Sequence, residues 1–290
     1  MVKIKISPWI YLSIGVLCIA FSAIFVKLAH INGISAAFYR LLIAGIVLFP
    51  YYIATSTRRF NFLHATGAFL CGMFFASDVS MWYVAIMRTD ATVSTLLGNL
   101  APLWTGILGF FFFKIKPSKY YWIGTFIALT GVIILLDFNK FILLKVNAGF
   151  FLAIAASVFY ALYLLTSRVI RQSFDTVSFM MFTLIGGLFT TYIFAQITDA
   201  PLWGFSIHSW LSLVGMALVS HLTGWLVINY ALGHIPSTEA SLALLSQSVC
   251  TAFLASFILN ETIVLHQIIG GLIVLSGIAL VYIKRNKTVV

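Results

Sequence analysis

Arg40, Asp78, Asn99 and His221 each stand inside a long apolar run of this chain. A polar or ionisable side chain costs several kcal/mol in such surroundings unless a partner or water compensates it, so each is a candidate for function. A guanidinium there can hold an anionic group. A carboxyl can meet a cation or exchange a proton, and an imidazole can relay a proton or donate a hydrogen bond. Two plainer readings stand beside these: Arg40 and Asp78 as an ion pair that locks helices together, and His221 as a packing residue. Asp78 and Trp82 are four apart, as are His221 and Trp225, so each pair shares a helical face.

Polar residues also run as seams. Thr92, Thr95, Asn99 and Pro102 follow helical spacing, and so do Ser241, Ser248 and Thr251, with Gln247 beside them. Small hydroxyl residues in such seams let helices approach and share hydrogen bonds, which is the reading taken for the serines and threonines. Asn99 and Gln247 are larger and are read as lining a cavity, together with Trp82, Trp225 and Tyr160. Glu239 falls in the first turn of a late segment, where the positive end of the helix dipole favours it.

The elements that must position these residues are transmembrane helices. Charged residues are only 8% of the chain and hydrophobic ones 62%, with a mean hydropathy of +1.08. A soluble domain carries roughly 25% charge. Apolar stretches recur at about 9–29, 33–54, 64–87, 91–113, 119–136, 146–168, 175–196, 207–231, 237–259 and 265–283. Lipid leaves backbone groups to be satisfied within each segment, and the segments lack the alternation of barrel strands. The expected fold class is an all-α integral membrane protein with ten transmembrane helices.

Charge sets the expected orientation. The formal net charge is +10. With a cytoplasmic N-terminus, the clusters at Lys3 and Lys5, Arg58 and Arg59, Lys114 to Lys119, Arg168 and Arg171, and Lys284 to Lys287 all lie inside. Arg88, Lys140 and Lys145 lie outside. This positive-inside bias places both termini in the cytoplasm. The basic balance is thus a topology signal and an attraction to anionic lipid; no soluble module is present to carry a nucleic-acid patch. The apolar run after Lys3 and Lys5 has no small-residue cleavage site and is read as a retained first span. Cys18, Cys71 and Cys250 lie within spans, at spacings that suit neither a metal site nor a disulfide framework.

An offset of 146 positions carries Ala85 onto Ala231, Thr92 onto Thr238, Gly124 onto Gly270 and Gly131 onto Gly277. A weaker match at an offset of 141 pairs Lys27 with Arg168, Phe38 with Phe179 and Gly45 with Gly186, the change being absorbed in the loop from Thr198 to His208. Five spans per half force the second half to enter the membrane upside down. The expected units are residues 1–141 and 142–290, two inverted five-helix repeats. Several matches are broken: Asp78 meets Gly224, Asn99 meets Leu245 and Phe75 meets His221.

The run from Pro102 to Leu135 and its mate from Phe253 to Ile283 resemble the EamA-type members of the drug/metabolite transporter superfamily. Pro102, Glu261, Gly270 and Gly277 carry the resemblance, as does the stretch from Phe74 to Pro102 with its Asp78–Trp82 pair and Asn99–x–x–Pro102. The halves are not equivalent: Ile115 stands where the second has Glu261, and Ser248 where the first has Pro102. The resemblance implies a secondary carrier of a small polar or amphipathic metabolite, such as an amino acid, with export commoner than uptake.

The expectation is therefore a bacterial-type inner-membrane carrier working by alternating access, with a small-molecule substrate and membrane lipid as partners and no nucleic acid, cofactor or metal. The expected substrate-binding residues are Arg40, Asp78, Trp82, Asn99, Tyr160, His221, Trp225 and Gln247. Asp78, Glu239 and His221 are the candidates for proton coupling. A facilitative carrier or an uptake permease fits the same residues. No GxxxxGK[ST], HExxH or GxSxG pattern appears to support ATP drive or an intramembrane enzyme, and no pore loop marks a channel. Monomer and homodimer stay open.

Overall fold

The computed structural model describes residues 7–55, 62–89, 91–136, 146–260 and 262–286. Glu261 and several of the loop and terminal cations that set the expected orientation (Lys3, Lys5, Arg58, Arg59, Lys140, Lys145 and Lys287) lie outside these residues. Among the described residues the spans are α1 Pro8–Ala29, α2 Gly33–Thr55, α3 Phe62–Arg88, α4 Ala91–Gly98 with Ala101–Phe113, and α5 Lys119–Leu135. The second half has α6 Ala148–Arg171, α7 Thr176–Ile197, α8 Ile207–Leu232, α9 Ser237–Leu244 with Ser246–Ile258, and α10 Leu265–Asn286. Nine of these are long and apolar enough to cross a bilayer; α5 is an apolar helix of 17 residues.

Local sequence sets the helix ends. Ser7, Ser118, Asn147, Asp175 and Ser206 each accept a hydrogen bond from a first-turn N–H, so side chains satisfy donors that lipid could not. His30, Lys114, Asp199 and Asn260 adopt positive φ between 49° and 54°, turning the chain within a few residues. Outward-facing residues such as Phe111, Phe112 and Leu272 are largely exposed, as lipid-facing side chains of spanning helices are.

The halves are interleaved. One buried cluster joins Leu12 and Val16 of α1, Leu41 and Leu48 of α2, Phe75 of α3, Tyr163 of α6, Phe179 of α7, and Trp225 and Ile228 of α8. The helices α3, α6 and α7 pack together, α1 packs on α8, and α5 packs on α10. Trp9, near the start of α1, meets Tyr282, near the end of α10, with ring centroids 5.3 Å apart, so the two ends of the chain share one end of the bundle.

The crossing of α5 with α10 makes the inversion visible. A Cβ on Gly124 would lie 2.6 Å from the Gly277 carbonyl oxygen, and one on Gly131 would lie 2.8 Å from that of Gly270. Gly124 and Gly270 are repeat mates, as are Gly131 and Gly277. Each glycine thus touches the mate of the other one, as two equivalent helices do when they cross antiparallel on a two-fold pseudo-axis. Only glycine permits backbones this close.

Spans four, eight and nine depart from straight α-helices. Span four breaks at Asn99 and Leu100, just before Pro102, which sits in the first turn of the next segment where its missing N–H costs nothing. Its mate α9 breaks at Leu245, the repeat equivalent of Asn99, although no proline is present there. The break therefore belongs to the repeat. In α8, Met216–Trp225 is a π-helix, and the Thr223 hydroxyl donates to the Leu218 carbonyl oxygen five residues back at 2.9 Å.

Candidate functional site

Phe75 is the hub of a polar and aromatic group at the centre of the bundle. The Arg40 guanidinium carbon lies 5.5 Å from its ring centroid. The rings of Trp225, Tyr163 and His221 lie 4.8, 5.2 and 5.4 Å away, and Tyr160 extends the set by its contact with Trp225 at 6.1 Å. A cation over an aromatic face gains about 0.5–2 kcal/mol, which holds the guanidinium without neutralising it. Four helices supply these groups: α2, α3, α6 and α8.

Asp78 sits one turn beyond Phe75 on α3. It lies within electrostatic reach of Arg40 and of Tyr160, and Tyr83 and His221 are likewise within reach of Arg40. Asp78 is less completely buried than Arg40 and His221. Trp82 continues the same face. Its ring packs on Gly98, immediately before the break at Asn99, whose amide donates to the Thr95 carbonyl at 2.9 Å. Trp82, one turn beyond Asp78, thus meets α4 one residue before its break.

The hydrogen bonding is uneven. Arg40 is 7% exposed and donates from Nη1 to the Ser22 hydroxyl at 3.3 Å, while its Nε and Nη2 have no hydrogen-bond partner. His221 is 2% exposed and neither ring nitrogen has one. Leaving a buried donor unsatisfied costs about 1–3 kcal/mol, and more for a charged group. Arg40 therefore does not hydrogen-bond Asp78 through these atoms, and the locking ion pair is not formed by them.

The expected site residues separate into two sets. Arg40, Asp78, Tyr160, His221 and Trp225 come together around Phe75, Trp82 lies one turn beyond Asp78, and Asn99 stands at the break in α4 with its amide turned back to Thr95. Gln247 bonds α1: its amide donates to the Ile19 carbonyl at 3.4 Å, next to Thr251, which donates to that of Ala20 at 3.2 Å. Glu239 is in the first turn of α9 and lines a groove of about 530 Å³ between α1, α9 and α10, with Trp9 and Tyr282. No residue of the Phe75 group lines that groove.

Three residues of the group were not singled out by sequence. Tyr163, Tyr83 and Ser22 are ordinary in composition, and only their contacts mark them. Phe75 stood out in the sequence only as the unlike repeat mate of His221. Sequence also missed a second buried arginine. Arg171, 8% exposed, donates from Nε to the Asn229 carbonyl at 3.0 Å, from Nη2 to the Thr176 hydroxyl at 2.5 Å and from Nη1 to the Phe174 carbonyl. Asn229 in turn accepts from the Tyr163 hydroxyl at 2.9 Å. This network joins α6, α7 and α8.

The EamA-like transporter family matches residues 7–137 and 147–283. An uncharacterized transporter of Bacillus subtilis (strain 168), YdfC, is 24% identical over 277 residues, spanning 95% of this chain and 90% of that relative. An uncharacterized transporter of Archaeoglobus fulgidus is 23% identical over 285 residues, spanning 95% and 97%. A crystal structure 15% identical in sequence superposes with a TM-score of 0.78 over 96% of this chain and 97% of that one, a likeness of fold.

Proposed function

The chain belongs to the EamA-like transporter family, and from that premise we propose a secondary carrier that exports a small polar or amphipathic metabolite, an amino acid or a related compound, coupled to protons. Membership makes the chain a multi-pass membrane transporter and not an enzyme. The observation that carries the finer reading is that repeat mates Phe75 and His221 meet at the centre of the bundle, with Arg40, Asp78 and Trp225 around them. A site on the axis between two inverted halves is where alternating access needs one, because rocking one half against the other exposes it to each side in turn.

In this reading residues 1–141 and 142–290 are the two moving units in a bacterial-type inner membrane, with both termini in the cytoplasm. Arg40, Asp78, Trp82, Asn99, Tyr160, His221 and Trp225 contact the cargo. Asp78 is the first candidate for the proton, because it is a carboxyl within electrostatic reach of the Arg40 cation. From α9, Gln247 contributes to the cargo route, and Glu239 is with His221 a further candidate for the proton. The discontinuous spans α4 and α9 supply the bending points, as broken helices do in other carriers with inverted repeats.

Counterflow in proteoliposomes tests the carrier. Saturable uptake of a labelled metabolite, stimulated by the same unlabelled metabolite inside, is the expected result. Flux that rises linearly with concentration would instead indicate a channel. Uptake that is equal at all proton gradients and unchanged in Asp78→Asn would remove the coupling and leave facilitated diffusion.

A further inference from the structure

Two arginines are buried to the same degree in this protein, and they are treated oppositely. Arg171 is bonded from Nε, Nη1 and Nη2. Arg40 is bonded from Nη1 alone, and His221, which also faces Phe75, from neither ring nitrogen. The fold can satisfy a buried guanidinium where the role is structural, so the contrast marks Arg40 as a group that meets its partner from outside the chain.

The chemistry of that partner follows from the donors. A guanidinium presents a planar fork of N–H groups that matches a carboxylate or another small oxyanion. A neutral imidazole adds one N–H donor, and its second nitrogen can accept from a hydroxyl or amine of the same molecule. Phe75, Tyr160, Tyr163 and Trp225 wall the site with aromatic surface.

We propose that Arg40 and His221 form a binding site for a small monoanionic oxyanion, the carboxylate of the cargo, and that Asp78 takes up one proton as the anion binds. This deepens the carrier reading and rests on it for its consequence in transport. The charge balance gives the reason. With the site empty, the Arg40 cation and the Asp78 carboxylate sum to zero. An arriving anion would place two negative charges near one positive charge in a medium of low dielectric. A proton from the aqueous phase that converts the carboxylate to a carboxylic acid restores zero, so anion and proton cross together without net charge, outward when the metabolite gradient drives them.

The groups around Asp78 fit this role. Arg40 acts on it from α2, and it acts on Tyr160 of α6. His221 of α8 faces Arg40, Tyr163 of α6 stacks on Tyr160, and Tyr83 lies on its own helix near Arg40. The polar residues that α4 and α7 bring to α3, Asn99 and Thr183, do not ionise.

The experiment uses the purified full chain in detergent, with sodium acetate and sodium benzoate as anionic probes and acetamide and methylammonium chloride as charge controls. Thermal unfolding reports binding, and a pH indicator in weakly buffered solution reports proton uptake. The expected result is stabilisation by the two anions alone, with uptake of about one proton per anion bound. Arg40→Gln weakens anion binding by about tenfold or more. Arg40→Lys keeps the charge and binds at intermediate strength, which guards against a loss caused by misfolding. Asp78→Asn binds the anions with no proton uptake.

Anion binding that is unchanged in Arg40→Gln, or stabilisation by methylammonium instead of acetate and benzoate, overturns the site. Counterflow separates the two readings. Saturable exchange of a cationic or neutral solute that ignores Arg40→Gln refutes the anion site and keeps the carrier, whereas folded protein that exchanges no solute refutes the carrier.

Discussion

Phe75 and His221 occupy the same position in the two repeats, and their rings lie 5.4 Å apart. Where mates touch, the repeat axis passes between them, so any difference between the two residues is a difference at the axis. Here the difference is a pair of buried ring nitrogens without hydrogen-bond partners. His221→Phe would make the axis symmetric and remove both. Each unsatisfied buried polar atom costs about 1 kcal/mol or more, so the variant is expected to unfold at the same or a higher temperature. Its exchange rate in proteoliposomes should fall at least several-fold. A lower unfolding temperature with full exchange would make His221 a packing residue.

Gly45 and Gly186 are also mates by the offset of 141, and the structure uses them differently. A Cβ on Gly186 would lie 2.0 Å from the Phe69 carbonyl oxygen, at the close contact of α3 with α7, while one on Gly45 would meet nothing within 4 Å. Gly186→Ala must push two backbones apart and is expected to cost about 1–3 kcal/mol or more. Gly45→Ala replaces a helical glycine without a clash and is expected to be neutral or to stabilise by about 0.5–1 kcal/mol. Paired unfolding measurements on the two variants check the contrast.

The sequence carried the architecture because lipid leaves few choices: runs of about 20 apolar residues, an odd number of spans per repeat, and glycines at matched positions. Gly124, Gly131, Gly270 and Gly277 were legible as matched positions of the two halves, and the structure pairs them across the axis. The break in α9 at Leu245 was not legible, because nothing in its residues announces it; it follows the break at Asn99, where Pro102 does. The π-helix around His221 was equally silent. Asp78 was legible as a lone intramembrane carboxyl, but the reason its mate is glycine was not. A Cβ on Gly224 would lie 2.9 Å from Ile19 of α1, so that position in the second repeat serves the α1–α8 crossing. Arg171 was hidden among the cations that set topology, since composition cannot separate a snorkelling arginine from a buried and bonded one.

Arg40 and Arg171 permit a direct test of function against structure. Methionine has a similar reach and no charge. Arg171→Met strips three hydrogen bonds from the Asn229 and Phe174 carbonyls and the Thr176 hydroxyl, and is expected to cost about 3 kcal/mol. Arg40→Met removes a buried charge that the protein solvates poorly, and such replacements are often neutral or stabilising. Thermal unfolding should therefore rank Arg171→Met below wild type and Arg40→Met at or above it, while exchange in proteoliposomes is lost in Arg40→Met. The reverse ranking would make Arg40 the structural residue.

Gly124 and Gly277 offer a test of the axis itself through coupling. A Cβ on Gly124 would lie 2.5 Å from Val281 and 2.6 Å from the Gly277 carbonyl oxygen, and one on Gly277 would lie 2.6 Å from the Gly124 carbonyl oxygen and 2.8 Å from the Ala128 nitrogen. Alanine at either position must widen the same α5–α10 crossing, at about 1–3 kcal/mol. Once the helices have moved apart for one methyl, the second finds room already made. The double variant Gly124→Ala with Gly277→Ala is therefore expected to cost clearly less than the two single costs added together. Gly124→Ala combined with Gly186→Ala touches two separate crossings and should be additive within about 0.5 kcal/mol. Additive costs for Gly124 with Gly277 would mean that α5 and α10 do not cross at these glycines, and the two-fold relation between the halves would fall with that crossing.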